Sequence, residues 1–217
     1  ARLPVTPMAD PTPLKPPLRE RKHAATRDHI HRVALGLFLA RGFSRVSVEE
    51  IADAATVAPR TFFRYFPVKE DAALALNDDM MRVLREALLA ADPSLPPLVQ
   101  VRDALAESLN FMHATSAPGL AELLAREPAI AARLEHHNLR YEEIIADHLE
   151  ALAGGGPARR LRARLFAAAA AAALMHVRRE RIAAHSLPED YAAIAFDFVS
   201  ALQPAWDATM ASETEGP

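Results

Sequence analysis

The stretch SVEEIADAATVAPRTFFRYFPVK, residues 47–69, decides the fold of the N-terminal part of this 217-residue chain. Ser47 is a good helix N-cap, and Glu50 three positions later predicts a capping box. The apolar residues of the first half then recur on one side of a helix: Val48, Ile51, Ala52 and Ala55. Only a tight turn fits before Pro59, which suits the first position of the next helix. The stretch therefore predicts helices at 48–55 and 59–66 joined by a tight turn.

A longer amphipathic helix precedes this pair. Its apolar residues are spaced as one stripe: Ile30, Val33, Ala34, Leu37 and Phe38. Gly42 then ends the helix, because glycine tolerates the left-handed backbone found there. A helix as short as 48–55 is unstable alone. We therefore expect the helices at 26–41, 48–55 and 59–66 to pack together as a three-helix unit.

The helix at 59–66 has two sides of different chemistry. Val57, Phe62 and Phe66 supply the apolar side, which leaves polar groups outward: Arg60, Thr61, Arg64 and Tyr65. Arginine forms paired hydrogen bonds with guanine in the major groove, and hydroxyl groups bond phosphates. This pattern predicts a DNA-reading helix. The alternative is a helical bundle with a solvated charged face.

One stretch of the chain resembles the N-terminal signature of the tetracycline-repressor (TetR) family. It is Val48–Asp71, preceded by Leu37-Phe38 and Arg41-Gly42-Phe43. The resemblance covers about 45 residues and implies an all-α, dimeric transcription regulator. It further implies a repressor that leaves a palindromic operator on double-stranded DNA when a small molecule binds the C-terminal domain.

By this resemblance, three residues are expected to contact phosphates: Thr61, Tyr65 and Lys69. Base reading is assigned to Pro59, Arg60 and Arg64, and Ser47 completes the DNA-binding set. Three positions depart from the family pattern: Thr56, Ala58 and Phe63. A positive φ at Thr56 would be strained, so we expect a slightly different turn there. Ala58 lacks the side-chain cap that serine supplies.

Charge divides the chain unevenly. Residues 1–72 hold 12 Lys or Arg against 8 Asp or Glu, whereas residues 73–217 hold 13 against 20, within a net charge of −3. A basic head on an acidic body fits one end meeting a polyanion. Without cysteine the chain suits a reducing compartment, and no apolar run approaches the roughly 20 residues of a membrane helix. We therefore expect a cytoplasmic protein with no membrane partner.

Three regions follow from composition: a flexible Pro-rich basic arm at 1–24, a helix-turn-helix domain at 25–71, and a ligand-binding and dimerisation domain at 72–217. The arm ends in a basic cluster of Lys15, Arg19, Arg21, Lys22 and Arg27, which suits a DNA groove; a disordered tail is the alternative. Pro and Gly breaks divide the body into helices at 68–91, 97–115, 118–126, 128–152, 158–185 and 188–210.

The body helices carry continuous apolar stripes, which indicate a core first and a ligand cavity between helices second. The candidate pocket residues are Phe111, His137, Tyr141 and Met175. We expect a small, mostly apolar or acyl-CoA-like effector. The acyl-CoA alternative rests on a resemblance of Leu124–Leu134 to an actinobacterial TetR subgroup. The arginines that begin the helix at 158 fit phosphates or, more simply, a solvated face: Arg159, Arg160, Arg162 and Arg164.

The two C-terminal helices are the expected homodimer surface. Ala167–Ala173 is an unbroken alanine run that permits close helix approach, and the last helix offers Tyr191, Ile194, Phe198, Leu202 and Trp206. An Ala-rich core within one chain is the alternative. A dimer would set two reading helices about 34 Å apart, matching one turn of DNA.

The sequence lacks the motifs of enzymes and metal sites. His137 and His148 lie about 16 Å apart along one helix, too far for one ion. Neither a phosphate-binding glycine loop nor a nucleophile elbow is present. We therefore expect no cofactor, no metal and no enzymatic activity. A helical small-molecule carrier or enzyme that does not act on DNA is the remaining alternative.

Overall fold

The computed structural model describes residues 17–115, 119–184 and 190–211, and within those ranges the secondary structure is entirely helical. The N-terminal elements are α1 (Leu18–Arg41), a 3-10 turn (Phe43–Arg45), α2 (Val48–Ala54), α3 (Pro59–Tyr65) and α4 (Lys69–Ala73). The body comprises α5 (Ala75–Leu89), α6 (Pro97–Thr115), α7 (Leu120–Arg126), α8 (Pro128–Ala153), α9 (Pro157–Ala184), α10 (Asp190–Ala201) and α11 (Gln203–Ala211). The predicted all-α fold, with a three-helix N-terminal unit and a helical bundle behind it, is confirmed.

Helix α1 begins at Leu18, eight residues before the predicted start at 26. The predicted arm is therefore helical from residue 18 to residue 24, and its residues 1–16 lie outside the described ranges. The sequence after Pro17 explains the early start, because Leu, Arg, Glu and Lys are strong helix formers. The prediction gave the prolines too much weight, since proline restricts only the residue before it and the helix that would precede it.

Two of the predicted long helices are broken. The helix expected at 68–91 divides at Leu74, whose ψ of 15° separates α4 from α5. The helix expected at 188–210 divides into α10 and α11 near Leu202. The break at Leu74 has no glycine or proline beside it, so the sequence carried no such signal there. The break near Leu202 lies two residues before Pro204, which cannot donate a backbone hydrogen bond to the Ser200 carbonyl. That proline was an available signal that the prediction did not use.

The core consists of two clusters. The body cluster joins α5, α6, α8, α9, α10 and the start of α11, and Tyr141, Leu105 and Trp206 are among its buried residues. The N-terminal cluster is built around Ile30, Phe38, Phe62 and Phe66, and it also takes in Leu123, Leu124, Ile130 and Leu134 from α7 and α8. Packing thus continues across the predicted domain boundary at residues 71 and 72, which stays a prediction.

The alanine run in α9 is mainly an internal feature. Ala167, Ala170 and Ala171 are buried in the body cluster, as the alternative of an intramolecular core predicted. Trp206, expected on the dimer surface, instead stacks edge-on against Phe166 with ring centroids 5.4 Å apart. Tyr191 has no described side chain. By contrast, Ile194 and Phe198 are exposed by 66% and 51%.

The arginines at the start of α9 are not simply solvated. Arg159 donates to the carbonyls of Ala153 and Met210, and Arg162 donates to the carbonyl of Thr209 at 2.8 Å. Arg164 pairs with Glu150 at 2.7 Å. These bonds cap the end of α8 and fasten α11 to α9. Arg160 pairs with the same Glu150 carboxylate at 3.3 Å, so all four arginines have a partner within the chain.

Candidate nucleic-acid interface

The capping box at the start of α2 forms as predicted. The Ser47 hydroxyl accepts a hydrogen bond from the Glu50 N–H at 3.1 Å, and the Glu50 carboxylate accepts one from the Ser47 N–H at 2.8 Å. Arg41 pairs with the same carboxylate at 2.7 Å. The bond from the Ser47 N–H and the pair with Arg41 hold the pKa of Glu50 below its usual range. Ser47 is exposed, and its own hydroxyl proton remains able to donate to a phosphate.

The turn between α2 and α3 contains a strained residue, which was not expected from the sequence. Thr56 has a φ of 55°, and it is the one non-glycine residue with positive φ among the described residues. The expectation of a different turn is wrong. The Thr56 N–H donates to Asp53 and the Val57 N–H to Ala52, at 3.0 and 2.9 Å, which keeps the turn closed. Such a conformation costs roughly 1–2 kcal/mol for a residue with a side chain.

Helix α3 is fastened by two aromatic rings. Phe62 and Phe66 are almost completely buried, with ring centroids 5.7 Å apart. Pro59 occupies the first turn, and Ala58 provides no side-chain cap, both as predicted. Because its inner side is fixed in a packed core, the helix holds its outer side in a set orientation.

The outer side of α3 presents Arg60, Phe63 and Arg64, which are exposed and fall at i, i+3 and i+4. Thr61 and Tyr65 are half-buried beside them. The Arg64 guanidinium lies 5.0 Å from the centre of the Tyr65 ring. Phe63, exposed by 50%, was not among the predicted site residues. An outward phenylalanine between two arginines suits the methyl group of thymine, and its place three residues after Arg60 was the available signal.

The start of α1 reaches the end of α3. The His23 ring packs on the Tyr65 ring with centroids 4.5 Å apart. Arg19 and Lys22, which lie within one turn of His23, are exposed. The basic segment that was predicted as a flexible arm therefore extends the same surface as a helix.

Two of the expected basic contacts are used inside the protein. Arg27 pairs with Asp79 at 2.9 Å and donates to the carbonyl of Ala75, which fastens α1 to α5. The Lys69 ammonium donates to the carbonyls of Phe43 and Val46, each at 2.9 Å, and lies 4.0 Å from the centre of the Phe43 ring. Lys69, predicted as a phosphate contact, thus already has three partners within the N-terminal unit.

Phe111, Tyr141 and Met175 pack in or against the body cluster, and His137 lies one turn before Tyr141 on α8. Their role as pocket residues stays a prediction. Phe111 lines an open cleft of about 790 Å³ beside Arg21 and Arg27. His137 donates through Nε2 to Asp71 at 3.2 Å, and the Tyr141 hydroxyl donates to the carbonyl of Asn77 at 3.3 Å. Burial raises the pKa of Tyr141. Met175 is buried in the body cluster.

The structure brings no group of His, Asp or Glu side chains into a metal-binding arrangement within the described ranges. None of the helices there is long and apolar enough to cross a membrane.

These features define a helix-turn-helix unit, the arrangement that places a recognition helix in the major groove in many DNA-binding proteins. Residues 30–76 match the family model of the bacterial regulatory proteins of the TetR family. This segment is therefore a TetR-family N-terminal domain.

Two curated relatives share this part of the chain. The HTH-type transcriptional regulator TcmR of Streptomyces glaucescens is 49% identical over 86 residues, which are 40% of this chain and 36% of TcmR. The regulator MftR of Mycobacterium tuberculosis, named for mycofactocin biosynthesis, is 39% identical over 90 residues, 41% of this chain and 43% of MftR. The matches thus span well under half the length of these relatives.

The fold likeness extends further. The crystal structure of a TetR-family regulator from Streptomyces coelicolor A3 superposes with a TM-score of 0.57 and 20% identity, covering 91% of this chain and 98% of that one. At this identity the likeness establishes the fold of the body but no property of its ligand.

Proposed function

We propose that this protein is a ligand-responsive transcription regulator, most simply a repressor, that binds a palindromic operator as a homodimer and leaves it when a small molecule binds the body. One observation carries the proposal: the exposed side of α3 presents Arg60, Phe63 and Arg64 on a rigid three-helix core. In this proposal the protein acts by binding DNA and catalyses no reaction. It acts in the cytoplasm, where bacterial DNA lies.

In this proposal the two arginines read bases and the surrounding groups set the position on the duplex. Arg60 and Arg64 are spaced one helical turn apart and are suited to guanine edges in the major groove. Ser47, Thr61 and Tyr65 contact phosphates through their hydroxyls, and Pro59 packs at the start of the reading helix. The exposed Arg19 and Lys22 of α1 add charge attraction along the backbone.

Exposed apolar groups on α9 and α10 support the proposed dimer. Leu161 and Leu165 of α9 are exposed by 60% and 62%, and Ile194 and Phe198 of α10 by 66% and 51%. Each pair is spaced by one helical turn, so each helix presents an apolar strip to its outside. Covering both strips with a second copy would remove this surface from water.

Release from DNA has a physical route through the junction between the N-terminal unit and the body. Arg133 holds the Asp71 carboxylate with bonds of 2.7 and 3.0 Å, and Glu127 accepts a bond from the Phe43 N–H at 3.2 Å. A ligand that displaces α7 or α8 would therefore move the reading helix. The effector in this proposal is a mostly apolar or acyl-CoA-like molecule. Arg159 and Arg162 bond α11 carbonyls, whereas Arg160 and Arg164 are exposed and pair with Glu150.

The test is selection of double-stranded DNA from a randomised palindromic library by the full chain, followed by titration of the enriched sequence. We expect Arg60→Ala and Arg64→Ala each to weaken binding roughly 5- to 150-fold and to relax base preference at one position per half-site. Arg85→Ala, on the exposed side of α5, is the matched control and should change nothing.

Affinity of the wild-type protein should also fall steeply with salt, because phosphate contacts release counterions. Failure to enrich any sequence, together with unchanged behaviour of both arginine variants, would overturn the proposal. It would then favour the alternative of a helical carrier or enzyme that does not act on DNA.

A further inference from the structure

Among the described residues, the body contains a buried arginine that no carboxylate neutralises. Arg178 on α9 is 8% exposed. Its Nη2 donates to the side-chain oxygen of Asn77, and its guanidinium lies 5.5 Å from the centre of the Tyr141 ring. Its Nη1 is buried and has no hydrogen-bond partner. Within the described residues, Arg178 forms no ion pair.

A buried arginine without a carboxylate partner is rare, because burying an unpaired charge is energetically costly. Charged side chains are almost never fully buried unless they are paired, and a buried group without its partner costs the full penalty of leaving water. The Asn77 amide and the Tyr141 ring compensate part of that cost, but neither carries a negative charge. The remaining N–H groups of Arg178 therefore suit an anion that the described residues do not supply.

A cavity lies next to this arginine. It measures about 30 Å³ and is lined by Arg178, Asn77 and the apolar side chains of α5, α6, α7 and α8, among them Met80, Met112 and Leu124. Seven of its nine lining residues are leucine or methionine. One cationic group in an otherwise apolar wall is the pattern of a site for an apolar molecule with one charged end.

We propose that this cavity is the effector site and that Arg178 binds a carboxylate at one end of an otherwise apolar ligand. The inference rests on the proposed function, because it names the ligand class to which the body responds. The cavity as it stands holds about one water molecule. A ligand therefore enters by displacing the lining, and the unbranched side chains of Met80 and Met112 adapt readily to a new shape.

The wall that would move connects directly to the DNA-binding unit. Leu120 and Leu124 of α7 line the cavity, and Leu124 also belongs to the N-terminal cluster with Leu123. One residue beyond α7, Glu127 accepts the bond from the Phe43 N–H. Expansion of the cavity against α7 thus reaches the N-terminal unit through shared packing.

The experiment compares octanoate with octan-1-ol, which have the same chain length and differ in charge, by calorimetric titration of the full chain without DNA. We expect wild-type protein to bind octanoate more tightly than octan-1-ol. Arg178→Met should weaken octanoate binding by roughly 10- to 100-fold, the usual range for a hydrogen bond to a charged group, and should leave octan-1-ol binding unchanged. Arg178→Lys keeps the charge and should keep most of the preference for octanoate.

Arg179→Met is the matched control, because Arg179 is the next residue of α9, is exposed, and pairs with Glu135 at 3.1 Å. It should bind both probes as the wild type does. Equal octanoate affinity in wild type and Arg178→Met, or no octanoate binding by the wild type, would overturn the inference.

A urea titration checks that Arg178→Met folds. If this variant is unfolded, Arg178→Lys decides alone, and loss of the octanoate preference in a folded Arg178→Lys would also count against the inference. Because these titrations contain no DNA, their failure leaves operator binding intact. Failure to select an operator while octanoate binding persists would overturn only the proposed regulator function.

Discussion

Lys69 connects two parts of the N-terminal unit that are distant in sequence. Its ammonium group donates to the carbonyls of Phe43 and Val46, which belong to the connection between α1 and α2. The same charge lies over the Phe43 ring, an arrangement worth about 0.5–2 kcal/mol depending on its exposure. Lys69 therefore positions the first helix of the helix-turn-helix relative to α4.

We expect Lys69→Met to reduce the free energy of unfolding by about 1–3 kcal/mol, because two carbonyls lose a charged donor. Urea unfolding of the variant measures this loss, with Lys22→Met, an exposed lysine of α1, as the control.

The phosphate contact that the sequence predicts for Lys69 would give a different result for the same variant. A variant with unchanged stability whose DNA binding loses about one unit of salt slope would show that Lys69 contacts phosphate and does not hold the fold together.

At the scale of single residues, the sequence predicts correctly those features that depend only on neighbouring residues. The Ser47–Glu50 capping box and Pro59 at the start of α3 depend on neighbours a few positions away, and both are where the sequence placed them. The expectation of an unstrained turn at Thr56 was wrong, because the surrounding packing imposes a positive φ that the residue itself disfavours. Phe63 was missed as a site residue because the family pattern marks it only as a departure, whereas its exposed position beside Arg60 and Arg64 results from the packing of α3.

At the scale of elements, α4 is a five-residue helix that depends on its neighbours. His31 Nδ1 on α1 lies 2.7 Å from the Ala72 carbonyl, and burial lowers the pKa of His31. On the other side, Arg133 and His137 of α8 hold the Asp71 carboxylate. Because so short a helix cannot persist alone, these contacts explain why α4 exists and where it points.

The ionisation of Asp71 contributes to stability. Burial alone would raise its pKa, but hydrogen bonds from His137 and Arg133 and the charge of Arg133 outweigh that effect and hold the pKa at about 2, against an ordinary 3.8. The folded state thus binds this proton less readily than the unfolded chain does. The contribution is fully present above the ordinary pKa and is lost as the pH falls from about 4 to about 2.

We expect Asp71→Asn to be less stable than the wild type by about 2 kcal/mol at pH 7, with a smaller loss of stability between pH 4 and pH 2. Urea unfolding at a series of pH values measures both effects. Asp53→Asn, on the exposed side of α2, serves as the control. An Asp71→Asn curve parallel to that of the wild type throughout the acid range would contradict this account.

Element boundaries show why periodicity predicts helices better than it predicts their ends. The apolar stripe of residues 68–91 continues through Leu74, yet the backbone bends there so that α4 faces the N-terminal cluster and α5 faces the body. The bend results from contacts with α1 and α8, which are far away in the sequence. The pattern within 68–91 therefore carried no signal for it.

At the scale of the whole molecule, the exposed strips on α9 and α10 suit a second copy of the chain. The predicted set mixed residues of two kinds, because spacing alone does not distinguish a helix side packed within the chain from one packed between chains. Trp206 is packed within the chain, whereas Phe198 is exposed and available to a second copy.

We expect the double variant Ile194→Glu and Phe198→Glu to be monomeric, because the new carboxylates would be buried without partners in the interface. Light scattering at micromolar concentration measures the mass, and Leu89→Glu, at an 81% exposed leucine of α5, is the control. A wild-type protein that is monomeric at that concentration, or a double variant that stays dimeric, would contradict the proposed interface.

The shared N-terminal cluster limits how this protein can be recombined with others. Four of its buried side chains, Leu123, Leu124, Ile130 and Leu134, belong to α7 and α8. A chimera that joins residues 17–75 to an unrelated sensor would therefore expose the side chains of this cluster that pack against α7 and α8. For the proposed regulator, specificity is better exchanged by transplanting the exposed residues of α3 alone, because Arg60, Phe63 and Arg64 lie outside this shared cluster.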